Sequence, residues 1–142
     1  MTDKDREYYM KKYRHINLYF CHGRGWDMLT LTAAILLDQQ TWPRWMPLWL
    51  KHIWFKFRPD TIPSNFIQIK EKFGGLRLYS YGNQIELFQS LESLSYCTCE
   101  TCGTTHNVGT TKGGWIFTTC EPCFDKMNEH RKFNLTWKEN KI

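Results

Sequence analysis

Four of the six cysteines in this 142-residue chain form two Cys-x-x-Cys pairs, Cys99 with Cys102 and Cys120 with Cys123, and this spacing constrains the fold most. Two thiolates three positions apart on a tight turn converge on one small ion, and two such turns supply the sulfurs of a tetrahedral zinc site. Gly103, directly after the first pair, suits a knuckle in which the backbone bends so that its amides face the sulfurs. Gly113-Gly114 followed by Trp115 to Thr119 predicts a turn feeding a short strand that delivers Cys120. Four protein sulfurs fill the coordination sphere and leave no position for water or substrate, so the expected zinc is structural. Cys97 is an alternative to Cys99 as a ligand, while Cys21 and His22 read as a buried Cys beside a turn His, outside the site. A redox dithiol fits less well, because a thioredoxin-like pair opens a helix inside a βαβ unit and no such unit is visible.

Six cysteines behind the charged start Met1-Thr2-Asp3-Lys4-Asp5-Arg6-Glu7, which is no secretory leader, favour metal in a reducing compartment over disulfides. The longest uncharged apolar run, Ala33 to Leu37, is too short to span a bilayer, so no membrane partner is expected. A formal charge of +5 inclines the chain weakly toward acidic partners.

Thr2 with Asp5 caps a predicted helix over residues 3 to 14, with Tyr9, Met10 and Tyr13 on one face. Glycines 23 and 25 mark a turn before a central buried helix over 27 to 37. Pro47 opens a helix in which Leu48, Trp49, Ile53, Trp54 and Phe57 recur at helical spacing, a stripe expected to be core rather than a ligand cage. Arg58-Pro59 through Pro63 ends it in a loop. Residues 66 to 81 predict a β-hairpin turning at Gly74-Gly75, with Ile67, Ile69, Phe73, Leu76 and Leu78 on one face. The other face collects Gln68, Lys70, Lys72, Arg77, Tyr79 and Tyr81, the candidate ligand-binding residues. Cations there neutralise phosphate and rings stack on a base; the competing reading is an ordinary solvated sheet face. Lys72 opposite Arg77 is a like-charge pair that an anion would bridge, and Glu71 is a carboxylate stranded on the apolar face. Asn83 and Glu86 form a capping box for a helix over 84 to 95, and Phe124 to His130 a final helical turn or two. The expected architecture is α+β: a core over 1–95 with helices packed on the small antiparallel hairpin, a zinc-ribbon lobe over 96–130 packed on it, and a basic tail over 131–142.

Gly25-Trp26, the block Ile69-Lys70-Glu71-Lys72-Phe73-Gly74-Gly75-Leu76-Arg77-Leu78-Tyr79, and the closing Cys-x-x-Cys-Gly, Gly-Trp and Cys-x-x-Cys resemble a group of small, uncharacterised bacteriophage proteins. The tryptophan-rich segment and Cys97 are not part of the resemblance. It implies a viral source and the host cytoplasm, and it brings no activity or catalytic residue. By analogy with other small phage proteins, the expected function is non-enzymatic: binding that blocks a host antiviral-defence component, either a protein or its anionic nucleotide signal. The alternative is a nucleic-acid-binding regulator in which ribbon and hairpin grip phosphate. Zinc deaminases need His-x-Glu ahead of Pro-Cys-x-x-Cys; this chain has no His-x-Glu and places Pro122 inside the second pair. His106-Asn107 lies between the pairs without the partner His of a paired-knuckle nuclease.

Overall fold

The computed structural model describes residues 1–58, 66–81, 85–131 and 135–140. The loop expected through Pro59 to Pro63 and the Asn83 cap lie outside the described residues, as does the side chain of Ile67. The fold is α+β. Helices α1 (Asp3–Lys12), α2 (Asp27–Thr41) and α3 (Leu48–Phe57) precede a hairpin of β1 (Phe66–Lys72) and β2 (Gly75–Ser80), and α4 (Ile85–Ser95) follows. The C-terminal part contributes β3 (Val108–Lys112), β4 (Thr118–Cys120), α5 (Glu121–Arg131) and β5 (Thr136–Glu139). Its sheet is antiparallel in the order β4-β3-β5. The segment read as a basic tail therefore supplies a strand: β5 pairs along β3, and the Trp137 indole donates to the Thr119 carbonyl at 2.9 Å.

Thr2 and Asp5 form the expected reciprocal cap on α1. Arg6, one position on, reaches across to Asp27 through Nη2 at 2.6 Å and also donates to the His22 carbonyl, fixing α1 to the first turn of α2. The main core gathers Ile16, Leu18, Trp26, Leu31, Ala33, Ala34 and Leu37 against Phe66, Ile69, Leu76 and Leu78 of the hairpin and Phe88 and Leu91 of α4.

A two-stranded sheet exposes two edges, and side chains occupy both. On β1, Tyr19 accepts from the Ile69 amide at 2.5 Å, and Cys21 and Asn17 donate to the Ile69 and Phe66 carbonyls. On β2, Ser95 Oγ and Glu92 Oε1 of α4 accept from the Leu76 and Leu78 amides, each at 2.9 Å.

The turn is Phe73-Gly74, one residue earlier than expected, with Phe73 at φ 54° and Gly74 at φ 70°. Gly75 is needed elsewhere: a Cβ on it would lie 2.5 Å from the Tyr96 ring, so the second glycine admits that ring and the turn moves back. Lys72 consequently faces Gly75, and Lys70 faces Arg77. Of the described side chains, Ile69, Leu76 and Leu78 are buried as expected, whereas Phe73 projects from the turn, 66% exposed. Glu71 is not stranded, because its carboxylate accepts from the Gly74 amide at 2.9 Å and braces the turn.

The larger correction concerns α3. Its buried residue is Lys51, whose ammonium meets both Asp38 oxygens at 2.8 Å, and Asp38 also pairs with the fully buried His15 at 2.6 Å. His52 beside it bonds the Lys12 carbonyl. With its polar side held inward by these contacts, the helix turns the aromatic stripe outward. Trp42, just after α2, is the tryptophan of this segment that is core.

Burial pushes the Asp38 pKa up, but hydrogen bonds from His15 and Lys51 outweigh it and the net displacement is downward; burial lowers that of His22. Both groups are less readily protonated folded than unfolded, so each contributes stability present above its unfolded pKa and lost as pH falls through its folded one. For His22 the loss begins below about pH 6.5. The stability gap between the parent and His22→Gln should therefore be widest above that pH and narrow in acid, as read by thermal denaturation. A gap constant with pH would rule the assignment out.

Candidate metal centre

The first knuckle is a tight turn in which the Gly103 amide donates to the Cys99 carbonyl at 2.8 Å, with Gly103 at φ 81° as the local bend requires. The second is a strand-to-helix junction: Cys120 ends β4 and Cys123 lies in the first turn of α5. These elements bring the sulfurs of Cys99, Cys102, Cys120 and Cys123 within 4.8 Å of one another. Cys102 Sγ and Cys120 Sγ are 3.7 Å apart, close to the ~3.8 Å edge of a tetrahedron with metal–sulfur bonds of about 2.3 Å. The geometry fits one four-coordinate metal ion.

The thiols' electrostatics fit as well. Burial raises the Cys99 pKa, but amides of Cys102, Cys120 and Thr101 facing the sulfur reverse this and bring it down to about 6. The Cys123 pKa is driven far up by burial and by the neighbouring thiols. Four sulfurs packed this closely repel one another as thiolates, and a dication at their centre removes the conflict.

Cys97 is not a member of this group, nor are Cys21 and His22. Cys21 bonds the edge of β1, and His22 is enclosed between Thr30 and the Gly23 carbonyl. His106 is exposed, with its amide bonded to Thr104 Oγ1.

The centre is welded to the N-terminal half. Gly25 donates its amide to the Glu100 carbonyl at 2.8 Å, and the Trp26 indole, wholly buried, donates to the Thr98 carbonyl at 2.8 Å. A Cβ on Gly25 would fall on the Cys99 carbonyl oxygen, and one on Gly23 on that of Glu100. Neither glycine has positive φ, so their role is close approach rather than turn geometry. Thr118 Oγ1 donates to the Gly74 carbonyl and the Thr118 carbonyl accepts from the Glu100 amide, tying the hairpin tip to the same knuckle. The sequence signal for this junction was the Gly-x-Gly-Trp run, which reads as a turn in isolation.

The hairpin's candidate ligand residues are divided by the structure. Lys70 lies over the Tyr79 ring at 5.0 Å and bonds Gln68 at 2.9 Å, while Tyr79, Tyr81 and Lys72 are exposed. Arg77 is drawn off the face: it donates to Tyr96 Oη at 2.5 Å and lies 3.8 Å from Glu92. The expected Lys72–Arg77 repulsion is absent, since those residues are not partners. Missed in the sequence is the groove beside the tip, a cavity of about 290 Å³ lined by Glu71, Lys72, Phe73, Gly114, Trp115 and Ile116. Trp115 belongs to the loop before β4, not to the strand, and is 67% exposed.

Comparison with protein-family models, curated proteins and solved structures found no match to the chain.

Two substitutions separate the metal from the weld. Cys102→Ser should abolish stoichiometric metal in elemental analysis and unfold the C-terminal sheet, since such binding carries roughly 10–16 kcal/mol of folding free energy. Gly25→Ala, remote in sequence from every ligand, should lower stability by about 3 kcal/mol in denaturant titration, because a backbone oxygen cannot yield as a side chain does. A neutral Gly25→Ala would show that the two halves do not depend on this contact.

Proposed function

We propose that the chain is a non-enzymatic binding protein stapled by a structural zinc ion on Cys99, Cys102, Cys120 and Cys123, and that it captures its target with the hairpin and the adjoining ribbon loop. Thiolate-only ligation suits zinc, and four sulfurs leave it no open position for chemistry. The observation that carries the binding role is the concentration of exposed rings and cations at one tip. Phe73 and Trp115 are each about two-thirds exposed and line one groove, with Lys72 Nζ 5.2 Å from the Phe73 ring centre. Burying those rings would stabilise the fold, so leaving them in water favours a use in recognition.

The surface runs from the groove through Lys72 to Lys70, Gln68, Tyr79 and Tyr81, with Arg77 as a positioning group held by Tyr96. A groove of this size, at the small end of ligand pockets, has room for a nucleobase or one side chain of a partner. Together with the resemblance to small phage proteins, this favours a host antiviral-defence component in the host cytoplasm, either an effector protein or its anionic nucleotide signal. Nucleic acid is the second reading. Glu71 in the groove opposes a phosphate backbone running through the tip, which ranks it lower.

Titration calorimetry against cyclic nucleotides and host effector proteins tests the reading. One ligand should bind saturably without turnover, and Trp115→Ala or Lys72→Glu should weaken it about tenfold or more, as loss of a stacking or charge contact does. Silence across both panels would remove the proposal, and binding to DNA or RNA that falls steeply with salt would replace it with the second reading.

A further inference from the structure

The segment from Thr41 to Arg58 presents an apolar face with no acidic residue in it. Trp45, Trp49 and Phe57 are 75%, 63% and 73% exposed, and Leu48, Ile53 and Trp54 are partly so. Residues 49, 53 and 57 recur every four positions and so form one row along α3, with Trp45 exposed in the turn before it. The opposite side of the helix is committed inward through Lys51 on Asp38 and His52 on the Lys12 carbonyl, which fixes the apolar row toward solvent. Arg44, Lys51, Lys56 and Arg58 lie within the segment, Lys12 and Arg14 flank His52, and no Asp or Glu occurs between Thr41 and Arg58. The nearby Asp38 is occupied by Lys51 and His15.

We propose that this face is a membrane-surface site: α3 lies in the plane of a bilayer bearing anionic headgroups, its tryptophans at the headgroup boundary and the exposed Arg44 and Lys56 among the phosphates. Tryptophan is favoured at that depth because its ring has an apolar body and a polar N–H, and surrounding cations add attraction to anionic lipid. No helix among the described residues is long and apolar enough to cross a membrane, but that constraint does not bear on a ten-residue helix, about 15 Å long, lying flat. Charge also decides against a second copy as the occupant. A two-fold contact sets a patch against itself, so Arg44 and Lys56 would be brought up to their own copies with no carboxylate in the segment between them. The site is separate from the hairpin, so it stands or falls independently of the binding reading above.

The test is co-sedimentation of the full-length, metal-loaded protein with vesicles of equal parts phosphatidylcholine and phosphatidylglycerol, against phosphatidylcholine alone, at low salt. The protein should sediment with the anionic vesicles, its tryptophan emission should shift to the blue, and added salt should weaken both effects. Trp49→Ser with Phe57→Ser should cut partitioning about tenfold or more, with circular dichroism and metal content unchanged, as expected for removing two large apolar contacts. Arg44→Glu with Lys56→Glu should remove the preference for phosphatidylglycerol and keeps the test decisive if the first pair fails to fold. No sedimentation with anionic vesicles, or parent-level binding by both double variants, would overturn the proposal. So would a concentration-dependent dimer that the Trp49→Ser/Phe57→Ser pair abolishes, since a second copy would then cover the face.

Discussion

The structure depends on the approach of one stretch of backbone to another, at Gly25 and the first knuckle. The Gly25 amide bonds the Glu100 carbonyl between two metal-ligand positions, and the neighbouring indole of Trp26 bonds Thr98 just before them. Trp26 is also part of the main apolar core, so one residue joins the burial that holds the helices to the turn that presents Cys99. The four-sulfur cluster sits where the C-terminal sheet meets α5, and this contact ties that cluster to the rest of the chain.

The hairpin is the second bridge between the halves. Its apolar face closes the helical core, its edges are satisfied by Tyr19, Cys21, Ser95 and Glu92, and its turn touches Thr118 of β4. With both edges occupied and its turn bonded to Thr118, it lies beside the ribbon loop. Phe73 and Trp115 line the one groove between them.

What could be read from the sequence follows how local each signal is. The clustering of four cysteines, the Thr2–Asp5 cap, the central helix and the existence of the hairpin depend on spacings of a few residues, and all are present, the helix running on to Thr41. The turn position was displaced because two adjacent glycines have different tasks, and only the packing of Tyr96 tells them apart. The α3 stripe has the periodicity of a core helix, and nothing local reveals that Lys51 is claimed by Asp38, thirteen positions earlier. Likewise β5 is too short and polar to announce a strand until β3 offers it an edge. The misread features are those in which a distant partner outweighs the local pattern.

The last strand has a consequence for how the polypeptide matures. Because β5 completes the sheet that carries Cys120, and Asn140 bonds the carbonyl of Tyr96, the ribbon's hydrogen-bond pattern closes only after residue 140 has been synthesised. The Trp26 indole meanwhile awaits a carbonyl 72 positions downstream. On a translating ribosome the helices and hairpin emerge before the strands and cysteines they dock against, so their docking face is uncovered until the ribbon forms.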